Sequence, residues 1–210
     1  MADRDRIAAL FAPLLPPGTS FAARAIVGDD PPLFPDEEAA IVRAVPKRRR
    51  TFAFGRVCAR EALGWNVAIL VGQGGAPVWP AGVLGSITHT DDDAAAAIAS
   101  VPIGIDLESR AHAARTPDLL AMVALPSERA LDAALVFSAK ESVYKCLYPT
   151  AGQFLDFHDV ELAFDGDGFH VIRAGDYDVR GMRGRFAITD TLVATVVVRT
   201  ARPAPDSPAG

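Results

Sequence analysis

Apolar residues recur at helical spacing in two long stretches of the chain and at strand spacing in most of the remainder. Residues 47–63 contain no proline and one glycine, Gly55; apolar positions fall at Phe52, Val57, Ala59 and Leu63, and the run stops at Gly64. This predicts a helix with a glycine stop. A second helix is predicted over 127–147, ending before Pro149, with Leu131, Leu135, Val143 and Leu147 on one stripe. Four runs between the two helices, at 67–71, 83–90, 94–99 and 103–108, read as strands parted by Gly, Pro and Asp turn signals. The alanines at 94–97 taken alone favour helix. Four more strands are expected at 160–164, 169–173, 184–189 and 192–199. Before Pro46 the chain is rich in Pro and Ala, and one short helix is predicted over 35–44, where Asp36, Glu37 and Glu38 suit a helix N-terminus.

Each half of the chain thus offers a long helix followed by antiparallel-looking strands, without a residue-by-residue repeat. The fold class expected is α+β, with two similar lobes, residues 1–102 and 103–200, joined near 100–106. The cleft between such lobes favours ligands. The proline-rich tail 201–210 has no periodicity and is expected to be disordered.

With 210 residues, half of them hydrophobic and 22% charged, the chain can bury a substantial core. Its net charge of -5 gives no general attraction for nucleic acid or an anionic membrane, so neither is expected as a partner. The start, Met-Ala-Asp-Arg-Asp-Arg, carries acids among its bases, and Pro13, Pro16 and Pro17 break the apolar run after it, unlike a signal peptide. Two distant cysteines, Cys58 and Cys146, form no metal or redox motif. A cytoplasmic location is the simpler reading.

Three stretches carry the chemistry. Asp106 and Glu108 lie two apart on a strand and leave from one face, opposite Ile103, Ile105 and Leu107, while Gly104 admits a close neighbour. Alternating acids on a half-exposed strand have the same pattern. Glu141 and Lys145 stack at four-residue spacing on the second helix. An ordinary surface ion pair would do so too, and Ser138 to Glu141 also spells a capping box. The apolar stripe begins upstream, however, which puts Ser138 inside the helix. His89 follows Thr88 at a strand end, where ring and hydroxyl can donate to a phosphate oxygen, although a core residue is the default for a lone histidine. Asp91, Asp92 and Asp93 read as a turn. Lys47, Arg48, Arg49, Arg50, Arg56 and Arg60 hold six of the 21 Lys and Arg residues, and Arg49, Arg56 and Arg60 share a helix face able to grip phosphates or to stay solvated. Three carboxylates with a lysine and a histidine suit a magnesium-assisted reaction at a pyrophosphate.

The segments Thr88-His89, Gly104-Ile105-Asp106-Leu107-Glu108 and Phe137-Ser138-Ala139-Lys140-Glu141-Ser142 with Lys145 resemble the motifs of the 4'-phosphopantetheinyl transferases of the Sfp type. The stretches 33–38, 46–50, 55–63 and Gly75-Ala76-Pro77 are similar to the siderophore (enterobactin) branch in particular. The likeness covers about 33–149. It implies two lobes related by a pseudo-twofold axis with coenzyme A bound between them. It also implies transfer of the phosphopantetheine arm to a serine of an apo acyl, peptidyl or aryl carrier protein, with release of adenosine 3',5'-bisphosphate. By position, Asp106, Glu108 and Glu141 would hold Mg²⁺. Thr88, His89, Arg48, Arg56 and Lys145 would contact coenzyme A phosphates, Gly75, Ala76 and Pro77 would lie beside adenine, and Glu141 and Lys145 would be catalytic. Relatives often carry a Lys or Arg just before the Gly-x-Pro element, where this chain has Gln73 and Gly74. A magnesium-dependent hydrolase of nucleotide diphosphates and a non-catalytic binding module are the alternatives.

Overall fold

A computed structural model of the chain describes residues 3–151 and 155–200. The tail 201–210, expected to be disordered, lies outside the described residues. In order, the chain forms α1 (Asp3–Phe11), β1 (Ser20–Ala25), α2 (Pro35–Ala40), α3 (Pro46–Leu63), β2 (Leu70–Val71), β3 (Pro77–Val78), β4 (Leu84–His89), β5 (Asp93–Ala99) and β6 (Ile103–Ser109). There follow α4 (Arg110–Ala113), α5 (Leu119–Val123), α6 (Ala133–Ala151), β7 (Val160–Asp165), β8 (Gly168–Ala174), β9 (Met182–Ile188) and β10 (Leu192–Arg199). A three-stranded sheet has the order β1-β5-β4 and a five-stranded sheet the order β6-β10-β9-β8-β7, with antiparallel ladders throughout.

The expected α+β class and both long helices are present. Helix α3 ends at Gly64 as predicted. Helix α6 differs at both ends. It begins at Ala133 because Asp132 accepts from the free amides of Ala134 and Leu135, 2.9 and 3.2 Å away, a cap six residues upstream of Ser138. It continues past Pro149 to Ala151, since a proline's missing amide removes one helical hydrogen bond without forcing the helix to end. The strand expected over 67–71 shrinks to a two-residue pairing with β3. The sequence pattern predicts only one short helix before residue 46, yet α1 and β1 also form there. Their signal is weak because Ile7, Phe11 and Leu14 are few among alanines and prolines, but all three are buried.

Those three residues explain how the sheets are joined. They pack on Ala23, Ala95 and Ala97 of the small sheet and on Ile103, Ile105, Leu107, Ala194 and Val196 of the large one. Ala94 and Ala96 turn the other way, onto Phe54, Cys58 and Ala59 of α3. Strand β5 is therefore covered on both faces, and alanine is the side chain small enough for helices to approach both. Its helix propensity is overridden by that burial. Helix α6 covers the large sheet through Ala139, Val143, Cys146 and Leu147.

The edges of the two sheets, β4 and β6, meet without a shared backbone ladder. Instead the Ile105 amide donates to Ser86 Oγ at 3.0 Å and the Leu107 amide to Thr88 Oγ1 at 2.9 Å. On its other side β6 lies against the α6 backbone at Gly104, where a Cβ would fall on the Ser142 carbonyl oxygen and 2.6 Å from the Cys146 amide nitrogen. The close neighbour anticipated for Gly104 is this helix. Thr195 of β10 accepts from Ser138 and Ser142 and donates to the Ser138 carbonyl at 2.9 Å, so the buried hydroxyls fix α6 on the sheet.

Each half also contains a fully buried glutamate performing the same task. Glu37 accepts from the amides of Phe34 and Ile69 and from Arg60; Glu128 accepts from the amides of Leu125 and Leu162 and from Lys140. The local sequences, Phe34-Pro35-Asp36-Glu37 and Leu125-Pro126-Ser127-Glu128, share a Pro-x-Glu core. Lys140 completes its coordination with the carbonyls of Val123 and Phe157, 2.8 and 3.0 Å away. Glu128→Ala would strand a buried ammonium and two amides, and is expected to cost about 3–5 kcal/mol in urea unfolding. The double variant Glu128→Leu/Lys140→Met should lose less than the sum of the two single changes. Strictly additive losses would contradict the coupling.

Candidate active site

Strand β4 alternates between two partners. Ser86 and Thr88 turn to β6, while Ile87 meets α3 beside Gly55 and His89 reaches Arg48 on the same helix. Strand β6 alternates as predicted, burying Ile103, Ile105 and Leu107 in the core below and turning Asp106 and Glu108 toward α6. Between these elements lies a cavity of about 430 Å³. Arg48, Arg56, Gly75, Ala76, Pro77, Thr88, His89, Asp106, Glu108, Glu141 and Lys145 all line it. Every residue singled out from the motifs as a site residue therefore borders one space.

The arginine cluster divides. Arg49 pairs with Glu38 at 2.6 Å, Arg50 with Asp30 at 2.6 Å, Lys47 with Asp91 at 2.7 Å, and Arg60 grips Glu37 while stacking on Phe34. Of Arg49, Arg56 and Arg60, whose shared face could grip phosphates or stay solvated, Arg49 and Arg60 are committed to acids of the α2 region. Arg48 and Arg56 are the members that reach the cavity. Arg56 is anchored by Nε and Nη2 on the carbonyls of Ile69 and Leu70, at 2.7 and 3.4 Å, and lies 4.1 Å over the Phe52 ring. Burial pushes its guanidinium down to about 10, which leaves it a cation at neutral pH.

Arg48 Nη1 lies 2.9 Å from His89 Nε2. A guanidinium only donates, so Nε2 accepts and the ring proton sits on Nδ1. Burial first, then the charges of Arg48 and Lys145, push the imidazole down to about 4. Thr88 is also engaged: its hydroxyl accepts from Leu107 and donates to Asp106 Oδ1 at 3.2 Å. The proton that the sequence reading offered to a phosphate is directed at a carboxylate.

Asp106 is buried, and Oδ1 also accepts from Lys145 Nζ at 2.5 Å, whereas Oδ2 has no hydrogen-bond partner among the described residues. Burial raises Glu108 to about 8, reinforced by Asp106, and burial likewise raises Glu141. Burial acts to lower Lys145, but Asp106, Glu141 and Glu108 outweigh it and hold the ammonium above its ordinary value. Crowded carboxylates with an orphaned oxygen form a hard, all-oxygen donor set of the kind magnesium takes. As the side chains stand, no three Asp, Glu, His or Cys groups among the described residues converge closely enough to hold an ion.

Three aromatic residues of the lining, Phe137, Tyr144 and Tyr148, were not anticipated. With Glu141 and Lys145 they occupy positions i, i+4, i+7, i+8 and i+11 of α6, a helical periodicity that would have found them. Tyr148 also bears on the departure at residues 73 and 74. Gly74 has φ +64°, and a Cβ there would meet the Tyr148 hydroxyl, so a basic side chain at 74 would need strained backbone and a displaced Tyr148 ring.

A family model described as the 4'-phosphopantetheinyl transferase N-terminal domain matches residues 36–99, and one described as the 4'-phosphopantetheinyl transferase superfamily matches residues 102–189. The chain is 43% identical over 200 residues to 4'-phosphopantetheinyl transferase Svp of Streptomyces mobaraensis, covering 80% of each chain. It is 36% identical over 217 aligned positions to 4'-phosphopantetheinyl transferase Npt of Nocardia iowensis, covering 88% of this chain and 97% of that protein. Enterobactin synthase component D of Escherichia coli O157:H7 is 34% identical over 133 residues, 57% of this chain and 65% of its own length. The first two relatives span most of both chains, and the two family models together take in the lining residues of the cavity. On that extent of likeness the chain belongs to the 4'-phosphopantetheinyl transferase superfamily and is an enzyme of that transferase class.

Proposed function

We propose that the enzyme moves the phosphopantetheine arm of coenzyme A to a serine of an apo acyl, peptidyl or aryl carrier protein, using Mg²⁺ and releasing adenosine 3',5'-bisphosphate. The observation that carries this reading is the lining of one cavity, which brings two arginines and a glycine-rich turn together with three carboxylates and a lysine. On this reading the lobe 1–102 supplies the phosphate and adenine contacts, and the lobe 103–200 the metal ligands and catalytic groups. The likeness to enterobactin synthase component D supports service in siderophore or nonribosomal peptide synthesis, with polyketide carriers as further acceptors. Two buried cysteines at distant positions, Cys58 and Cys146, suit the cytoplasm.

Asp106, Glu108 and Glu141 would hold the magnesium, which supplies positive charge to the pyrophosphate oxygens. Arg48 and Arg56, fixed by His89 and by two carbonyls, orient the phosphates. Glu141 takes the serine proton as the serine oxygen bonds to the phosphorus bearing the pantetheine arm. The bond from that phosphorus to the adenosine-side phosphate breaks, and Lys145 stabilises or protonates the departing oxygen.

Mass spectrometry with coenzyme A and Mg²⁺ should show an apo carrier protein gaining one phosphopantetheine, and Glu141→Ala should slow the gain by at least about 100-fold. No gain on acyl, peptidyl or aryl carriers would contradict the proposal, and metal-dependent product without a carrier would point to the hydrolase.

The neutral His89 sets an acid limit. Its folded-state pKa, about 4, lies below the ordinary 6.5, so between these values the unfolded chain binds the extra proton. The stability tied to the neutral ring is complete above pH 6.5 and is lost as pH falls toward 4. Thermal unfolding of His89→Gln, which keeps an acceptor for Arg48, should therefore lose less stability than the parent between pH 6.5 and 4.5. Equal losses would contradict this account.

A further inference from the structure

Lys145 and Asp106 differ in freedom. The Asp106 side chain is 4% exposed and tied by Thr88, whereas the Lys145 side chain is 26% exposed on a long flexible stem. Both Thr88 and Lys145 use Oδ1, so the aspartate offers an incoming cation only Oδ2 while an ammonium sits against its other oxygen. A dication placed there meets that ammonium across one carboxylate, and like charges at such range repel. The side chains as they stand form no closed metal set among the described residues.

We propose that Lys145 is the counter-ion of Asp106 and opposes divalent-cation binding there until a pyrophosphate draws the ammonium away. This rests on the reading of the cavity as a coenzyme A and magnesium site. In chemical terms Lys145 makes one of two exclusive ion pairs, with Asp106 or with a phosphate. Exchange between them couples cation binding to the diphosphate, so each ligand raises the affinity for the other. No proton is transferred in the exchange. Lys145 thus acts before any bond is broken, as a positioning residue that sets the order of assembly, as well as at the departing oxygen.

The test is Mn²⁺ binding to the whole chain without coenzyme A or carrier protein, followed by electron paramagnetic resonance. Lys145→Met and Lys145→Gln remove the charge and should bind Mn²⁺ at least about tenfold more tightly than the parent. Lys145→Arg retains the cation and should bind no more tightly than the parent. Two neutral variants are used so that a folding failure in one leaves the other to decide. Neutral variants that bind Mn²⁺ no better than the parent, or not at all, would overturn the proposal. Since no coenzyme A is present, this result is independent of the mass-gain assay on the parent, which decides the transferase reading.

Discussion

Strands at the edge of a sheet present amides that their own sheet leaves without partners, and here two such edges face each other. The hydroxyls of Ser86 and Thr88 on β4 accept from the amides of Ile105 and Leu107 on β6. Side chains thereby take the place of a ladder, and the two sheets are held at a fixed offset with room for a cavity beside the seam. Gly104 sets the other limit, since only the lack of a Cβ lets β6 lie against the α6 backbone at Ser142. Strand β6 is thus gripped from both sides, and the direction of Asp106 and Glu108 follows from that grip.

The electrostatics of the cavity follow from the same placement. Three carboxylates from β6 and α6 share one low-polarity space, so burial and mutual repulsion raise Glu108 and Glu141. Thr88 serves both functions at once, bridging the sheets through Leu107 and holding Asp106. Across the cavity the cations are fixed by local contacts, Arg48 on a neutral His89 and Arg56 on two carbonyls and an aromatic ring. Lys145 then balances part of the acid charge from within the acid side. On the proposed reading, a diphosphate with a divalent cation would complement this lining.

Periodicity made much of this legible. The alternation of Ile103, Ile105 and Leu107 against Asp106 and Glu108 gave the faces of β6, and the placement of Ser138 inside α6 followed from the stripe through Leu135 and Val143. Long-range ion pairing was not legible. Nothing near Arg60 or Lys140 in sequence announces that Glu37 and Glu128 will pair with them, so the members of the basic cluster that face the cavity could not be told from those that pair with acids. The duplicated Pro-x-Glu device escaped notice because it spans a few residues in each half and its cations sit at different points of α3 and α6. Helix α1 was hidden for another reason: its few apolar residues matter because two sheets converge on them, which no local pattern records.

The central claim, that side-chain hydroxyls close the seam carrying the acid pair, is tested most directly by native-state hydrogen exchange at individual amides. If Ser86 and Thr88 hold β6 as described, the Ile105 and Leu107 amides exchange only on global unfolding, and Thr88→Val exposes Leu107 to faster exchange while leaving the β10 ladder protected. Rapid exchange of Ile105 and Leu107 in the parent, at the rate of an open sheet edge, would contradict it.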